Sequence, residues 1–406
     1  MKICDLTQSY AETGGGVRTY LHAKRHHLLA HTEHEYVLIV PGAEDSVTRD
    51  GRSTVHRVKS PPVPGSPAYR LLLRSDKVLG ILEAEAPDVI EVHCTYNLPW
   101  TALWHRRRHD AAVVGFSMTD LGSAYVEPGV SKVLGAAAGR AARRATDAYT
   151  RALYSRCDAT VAISRQMAED LAARGVGDVR WVPLGVDLER FRPRDDGATV
   201  RARYGAGPDD LLMVYAGRLD TEKQPDLVVD AFLRLPADFP GRLVLAGEGS
   251  LREPLAERTR DDDRVHVIPF IRDRDELAAL LGSADLYVSG MPHETFGLSV
   301  VEAQACGLPV LGVRAGAMVE RVTDEETGVL VPPGDDAAMA RAMVELEADR
   351  DRLAAMGRAS RRHVEDEFSW RRTFDDMLSL YRSLAGDPDG DGRSGGDGRP
   401  GAAHRS

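Results

Sequence analysis

Cysteine is scarce: Cys4, Cys94, Cys157 and Cys306 are the only four, and no two form a Cys-x-x-Cys pair. Without such a pair there is no vicinal dithiol, and the apolar strand or helix contexts of most of the four predict buried thiols in a reducing compartment. No apolar run approaches the ~20 residues that span a bilayer. The sequence opens on strand-like MKICDL rather than a leader, so the expected location is cytoplasmic. A complete dinucleotide fingerprint is missing too. Gly14-x-Gly16-x-x-Thr19 and Gly247-x-Gly249-x-x-Arg252 each lack the third glycine, which argues against a nicotinamide site. There is no basic platform interleaved with aromatics, so nucleic acid is not an expected partner. Asp387, Asp389, Asp391 and Gly392 open like an EF-hand loop, but Gly398 stands where the bidentate glutamate belongs. Asp273-x-Asp275 looks like a metal-binding pair, yet with Glu276 before ELAALL it reads as a helix cap. Neither a metal nor a cofactor is expected.

What is present is 406 residues, 43% hydrophobic, enough to fill two cores of about 150 to 200 residues each. Apolar strand runs (KICDLT, YVLIV, DVIEVH, AVVGFS, ATVAIS, then LLMVYAG, LVLAG, VHVIPF, LYVSG, PVLGV) alternate with helical stretches. That alternation predicts an α/β fold of two Rossmann-like domains, 1–190 and 191–367. LERFRPRDDGATVRARYGAG, rich in charge, Pro and Gly, is the expected linker. FSWRRTFDDMLSLYRSL is an amphipathic helix within a segment 368–385, and 386–406 has the composition of a disordered tail.

The formal charge is -10 and unevenly spread. Residues 1–190 carry 24 Lys and Arg against 22 Asp and Glu, leaving 28 against 40 for the remainder. Arg106, Arg107, Arg108, Lys132, Arg140, Arg143, Arg144, Arg151 and Arg156 cluster, several on an Ala-rich helix with Tyr149, Leu153 and Tyr154. A basic amphipathic surface can lie on anionic lipid, making peripheral contact with the inner membrane face one expectation; solvated helix faces are the other.

The most informative segment is HETFGLSVVEAQACGLPV, with Glu294 on a loop after a strand and Glu302 inside the helix that follows. Eight positions make ~2.2 helical turns, which keeps both carboxylates near one side of a pocket at the helix N-terminus. Free N–H groups from Thr295 to Leu298 favour an anion such as a diphosphate, and the carboxylates can accept bonds from hydroxyls. A solvated loop acid and a plain helix residue would give the same spacing. Upstream, LLMVYAGRLDTEKQPDLVVDAF carries Arg218 and Lys223 out of a strand's carboxyl end, where two cations suit a diphosphate or simply face water. Gly14, Gly15 and Gly16 precede the first helix and allow backbone to approach an anion closely.

In order along the chain, GGGVRTYL, VPLGVDLERFRP, AGRLDTEK, LAGEGSLRE, HETFGLSVVEAQACGLPVLG and ETGVLVPPGD resemble the retaining GT-B glycosyltransferases of family four, or glycosyl transferases group 1. HETF, with Thr119-Asp120 in GFSMTD, resembles the GDP-mannose-dependent α-mannosyltransferases among them. The resemblance implies a GT-B architecture, two Rossmann-like domains facing a cleft, with the C-terminal helix crossing back to the first. It implies transfer of a hexose from GDP-mannose or a UDP-sugar to an acceptor hydroxyl of a glycan, glycolipid or small metabolite, by front-face attack without a protein nucleophile. Arg218 and Lys223 would hold the diphosphate, and Glu294 would contact the transferred sugar. Glu302 would bind the ribose, and the amides of Phe296, Gly297 and Leu298 the sugar hydroxyls and β-phosphate. Gly15 and Gly16 would close over the diphosphate, and Phe270-Ile271 would border the base. Many members carry a His near the end of a central strand where this chain has Thr119 and Asp120. Asp120 is then expected near the reacting carbon, or as a helix N-cap. His93 in IEVHCTYNLPW is a candidate on the acceptor side, or a core histidine, and Tyr96 and Trp100 nearby could stack on a sugar. A nucleotide-sugar epimerase of the same fold and a catalytically silent nucleotide-sugar-binding protein are the alternatives.

Overall fold

The computed structural model describes residues 1–10, 15–63, 66–194 and 197–386. Gly14, the Asp387–Gly398 stretch and the rest of the expected tail beyond Gly386 lie outside them. The strands of the first half are β1 (Lys2–Leu6), β2 (Glu35–Gly42), β3 (Ser46–Asp50), β4 (Ser53–Lys59), β5 (Pro62–Val63), β6 (Ser66–Arg70), β7 (Val89–Val92), β8 (Ala112–Ser117), β9 (Ala159–Ala162) and β10 (Val179–Trp181). Its helices are α1 (Gly16–His31), α2 (Ser75–Glu85), α3 (Leu98–Arg106), α4 (Glu127–Leu134), α5 (Ala136–Tyr154) and α6 (Arg165–Ala173). Apart from the small β5–β6 hairpin, these strands form one sheet in the order β10-β9-β8-β7-β1-β2-β4-β3, parallel except where β3 meets β4.

The second half holds α7 (Ala198–Arg203), β11 (Leu211–Ala216), α8 (Pro225–Leu233), β12 (Gly241–Ala246), α9 (Arg252–Arg258), β13 (Val265–Ile268), α10 (Arg274–Gly282) and β14 (Leu286–Val288). Then come α11 (Leu298–Ala305), β15 (Val310–Val313), α12 (Met318–Arg321), β16 (Gly328–Val331), α13 (Asp336–Ala348), α14 (Arg350–Glu367) and α15 (Trp370–Ala385). Its sheet is wholly parallel, ordered β13-β12-β11-β14-β15-β16. Helices cover both faces of such a sheet, so its strands need continuous apolar runs. LLMVYA in β11 is buried at every position.

Much of the expected linker is folded. Arg201 in α7 bonds to Asp285 at 2.8 Å and to the Gly207 carbonyl at 2.9 Å, fastening that stretch to the second sheet. The helix read from FSWRRTFDDMLSLYRSL is α15, and it packs on the first half. Trp370 stacks on Phe374, and both rings lie against Tyr20 of α1. Beneath them Lys24 sits 2.7 Å from Asp5 of β1 and 3.2 Å from Glu91 of β7, and donates to the Tyr381 hydroxyl at 2.8 Å. Tyr381 in turn donates to Glu91. These buried acids are charges inside otherwise apolar strands, offset by the Lys24 ammonium and the Tyr20 hydroxyl of α1 and by the Tyr381 hydroxyl of α15.

Cys4, Cys94 and Cys306 are buried and Cys157 is half-buried, all as free thiols. Among the described residues no helix is long and apolar enough to cross a membrane. The basic surface read around α5 needs a correction: Leu153 and Tyr154 face inward and are buried. The exposed apolar residues there are Val133, Leu134, Trp100, Trp104 and Tyr149.

Candidate active site

In the second sheet the strand order reverses between β11 and β14, and the crevice outside the carboxyl ends at such a switch point is where open α/β sheets bind ligands. Both motif segments leave from it. After β11 the Tyr215 hydroxyl donates to the Arg218 carbonyl at 2.8 Å and holds the turn. Gly247 is glycine because a Cβ there would lie 1.9 Å from the Gly217 carbonyl oxygen. The Arg218 guanidinium is half-exposed, between Asp220 at 2.8 Å and Glu222 at 2.9 Å. One 3-10 turn, Thr221–Lys223, then aims Lys223 across the crevice. Its ammonium lies 3.1 Å from Glu294, 71 positions away.

Glu294 belongs to the turn before α11. Its second oxygen accepts the Thr295 N–H at 3.1 Å, so that amide, expected to be open to an anion, is taken by the carboxylate. Gly297 has φ +83°, a left-handed conformation glycine adopts freely, and it starts α11 with no side-chain cap on the first-turn amides. The Phe296 ring is buried, which leaves its backbone amide as the group that could meet a ligand. Glu302 is 3% exposed and pairs with Arg274 at the start of α10, a partner the sequence reading did not foresee. Burial raises the Glu302 carboxyl above its usual value against the pull of Arg274. Phe270 is exposed and Ile271 half-buried, just beyond the end of β13.

Facing this turn across a cavity of about 240 Å³ are Ser117, Thr119, Asp120, Gln166, Asp170 and Arg174 of the first half; His293, Glu294, Thr295 and Ala317 form the other wall. Asp120 and Glu294 therefore share one cleft. Asp120 is fully committed, however. One oxygen accepts the N–H groups of Gly122 at 3.0 Å and Ser123 at 3.4 Å, the cap of a π-helical turn Gly122–Val126, and the other pairs with Arg174. Burial pushes its carboxyl up, but Arg174 and the two amides outweigh that and hold it below the ordinary range. Gly15, with φ +119°, opens α1 without a side-chain cap, and at Gly16 a Cβ would meet nothing within 4 Å.

The acceptor-side expectation for His93 is corrected. Its side chain is 0% exposed, with Nε2 at 3.2 Å from Asp5 and 3.1 Å from Glu91, so the ring belongs to the core beneath α15. The chain leaves β7 with its first residue still inside the domain, which a strand-end count does not reveal. Asp5, Glu91 and His93 converge as metal ligands would, but the Lys24 ammonium already supplies the positive charge among them. Asp273 caps α10, accepting from the Asp275 amide at 2.8 Å.

Family models match both halves: Glycosyltransferase Family 4 over residues 14–190 and Glycosyl transferases group 1 over 197–363. A GDP-mannose-dependent alpha-(1-6)-phosphatidylinositol dimannoside mannosyltransferase of Mycobacterium tuberculosis is 33% identical over 390 residues, 95% of this chain and 97% of that protein. The chain belongs to the family four glycosyltransferases. A second M. tuberculosis protein, a GDP-mannose-dependent alpha-mannosyltransferase, is 31% identical over 95% of this glycosyltransferase and 97% of its own length. Among solved structures, sucrose-phosphate synthase from Thermosynechococcus elongatus superposes with a TM-score of 0.78 at 23% identity, covering 94% of this chain and 98% of that one. Anabaena HepE in complex with UDP superposes at 0.74 and 17% identity over 94% and 100%. The fold of the glycosyltransferase is thus GT-B, and its activity is transfer of a sugar from a nucleotide-sugar donor.

Proposed function

We propose that the enzyme is a retaining hexosyltransferase that takes GDP-mannose ahead of UDP-sugars and needs neither metal nor cofactor. The observation that carries this reading is the Lys223–Glu294 pair at the switch point, a cation and a carboxylate 3.1 Å apart where the donor's diphosphate and hexose would lie. Arg218 exchanges Asp220 and Glu222 for diphosphate oxygens, a bidentate partner its planar fork fits. Lys223 and the first-turn amides of α11 stabilise charge as it builds on the leaving phosphate. The sugar C1–O bond to phosphate breaks, the acceptor oxygen bonds to C1 on the same face, and the acceptor's proton passes to a phosphate oxygen. Glu294, ion-paired with Lys223, is suited to accepting hydrogen bonds from sugar hydroxyls. GDP-mannose is preferred because relatives matching almost the whole chain carry that donor in their names.

We read the acceptor only as a class, a hydroxyl of a glycan, glycolipid or small metabolite, with a glycolipid favoured by the phosphatidylinositol dimannoside in one relative's name. The exposed aromatic and basic face around α3 and α5 supports contact with anionic lipid at the inner membrane face. Thermal shift and turnover with GDP-mannose, UDP-glucose, UDP-galactose and UDP-N-acetylglucosamine, with and without EDTA, test the donor reading. Stabilisation and turnover by GDP-mannose, unchanged by EDTA, are expected. Release of an epimerised free sugar without acceptor would move the enzyme to the epimerase reading.

A further inference from the structure

Among the described residues the largest fully buried side chain belongs to Arg321, at the end of α12. Among the described residues it makes no carboxylate hydrogen bond, only an ion pair with its neighbour Glu320 at 3.6 Å. Instead its guanidinium spans three parts of the molecule. Nε donates to the Phe296 carbonyl in the donor turn at 2.8 Å, and Nη2 points to the Ile163 carbonyl beyond β9, in the other domain, at 3.4 Å. Its plane covers the rings of Phe296 at 4.2 Å and Phe368 at 4.7 Å, the latter just before α15 crosses back.

Glu320 makes the same crossing. Its two oxygens accept the N–H groups of Arg165 at 2.8 Å and Gln166 at 2.9 Å, the opening amides of α6. A carboxylate from one domain thus caps a helix of the other, where orphan N–H groups and the helix dipole favour it. The segment leading to the pair also backs the donor turn: the Ala317 N–H donates to the Glu294 carbonyl at 2.8 Å.

We propose that Glu320 and Arg321 are positioning residues that pin the donor turn to the acceptor-side domain, so that transfer, and not capture of the nucleotide, depends on them. This rests on the sugar-transfer reading above. The physical reason is division of labour. The diphosphate-facing side chains Arg218 and Lys223 both belong to the second domain and pair with Asp220, Glu222 and Glu294, not with Glu320 or Arg321, so nucleotide affinity rests mainly on that domain. Alignment of the sugar's C1 with an acceptor oxygen needs both domains in register, and a displacement of about 1 Å can cost 10²-fold.

The test uses the full chain with Glu320→Gln, Arg321→Lys and Arg321→Met. Calorimetry with GDP should give a Kd within about twofold of the parent, while kcat with GDP-mannose falls at least tenfold in Arg321→Met and less in Arg321→Lys, which keeps one donor. Hydrogen exchange supplies a readout independent of turnover. Glu320→Gln should speed exchange at Arg165 and Gln166 and also in the Thr295–Leu298 turn, which Glu320 does not touch. Faster exchange confined to 165–166, parent-like kcat in a variant whose melting alone drops, or GDP affinity falling in step with kcat would each overturn the proposal. A parent enzyme that turns over no nucleotide sugar would sink the transfer reading instead, leaving hydrogen exchange to decide the coupling.

Discussion

At the scale of single residues the site is a set of charges waiting to change partners. Arg218 rests on two carboxylates and is half-exposed, while Lys223 rests on a third and is more enclosed, so each cation is held by a pairing that a diphosphate can replace. Lys223→Ala, Arg218→Ala and Glu294→Ala are each expected to lower kcat/KM by ~10²-fold or more, because the lost contact is strongest as phosphate leaves. Melting should move by no more than about 2–4 °C, the equivalent of ~1 kcal/mol. A fully active Lys223→Ala would remove the diphosphate assignment. These residues were legible in the sequence because a strand end, a short turn and a helix start fix them locally. Arg274 on Glu302 and Arg174 on Asp120 were not, since those partners are 28 and 54 positions apart and only the fold brings them together.

At the scale of elements, α11 and α15 carry opposite lessons. α11 starts at Gly297 with no side-chain cap on its first-turn amides, and the helix itself was legible from the apolar spacing of LSVVEAQACG; that Glu294 takes the Thr295 amide was not. α15 was read as an amphipathic helix, but nothing in its own sequence showed that Tyr381 would reach a buried lysine and a buried acid. Tyr381→Phe removes the hydroxyl between Lys24 and Glu91, leaves both short of a partner, and should cost about 1–3 kcal/mol by denaturant unfolding. The same cluster sets a pH dependence. Burial opposes protonation of His93, yet hydrogen bonds and charge from Asp5 and Glu91 prevail and raise its pKa above the usual 6.5. A folded pKa above the unfolded one gives stability that is complete below pH 6.5 and lost as pH rises through the folded value. The melting temperature should therefore decline as pH climbs from 6.5, and His93→Gln should flatten that decline.

At the scale of the whole molecule, the segments after β8 and β9 face the donor turn across one cleft, whose lining includes Arg143 and Thr150 of α5. Trp100 donates to the Tyr149 hydroxyl at 2.9 Å, and the Arg108 guanidinium covers the Trp104 ring at 3.6 Å, so aromatic and basic groups share the exposed face of α3 and α5. Co-sedimentation with phosphatidylglycerol vesicles at low salt should exceed that with phosphatidylcholine, weaken at high salt, and drop in a Trp100→Ala, Trp104→Ala double variant. Equal and negligible binding to both would assign the face to solvent. Short-range chemistry written into the chain specifies alternating strands and helices, the two cations after β11, and the glutamate turn before α11. Which of these meet depends on long-range packing. Lys223 finding Glu294, Asp120 becoming an arginine-bound cap, His93 withdrawing into the core and Arg321 bridging two domains are all contacts across tens to hundreds of residues. Burial and charge pairing select such contacts, and neither leaves a periodic trace in the chain.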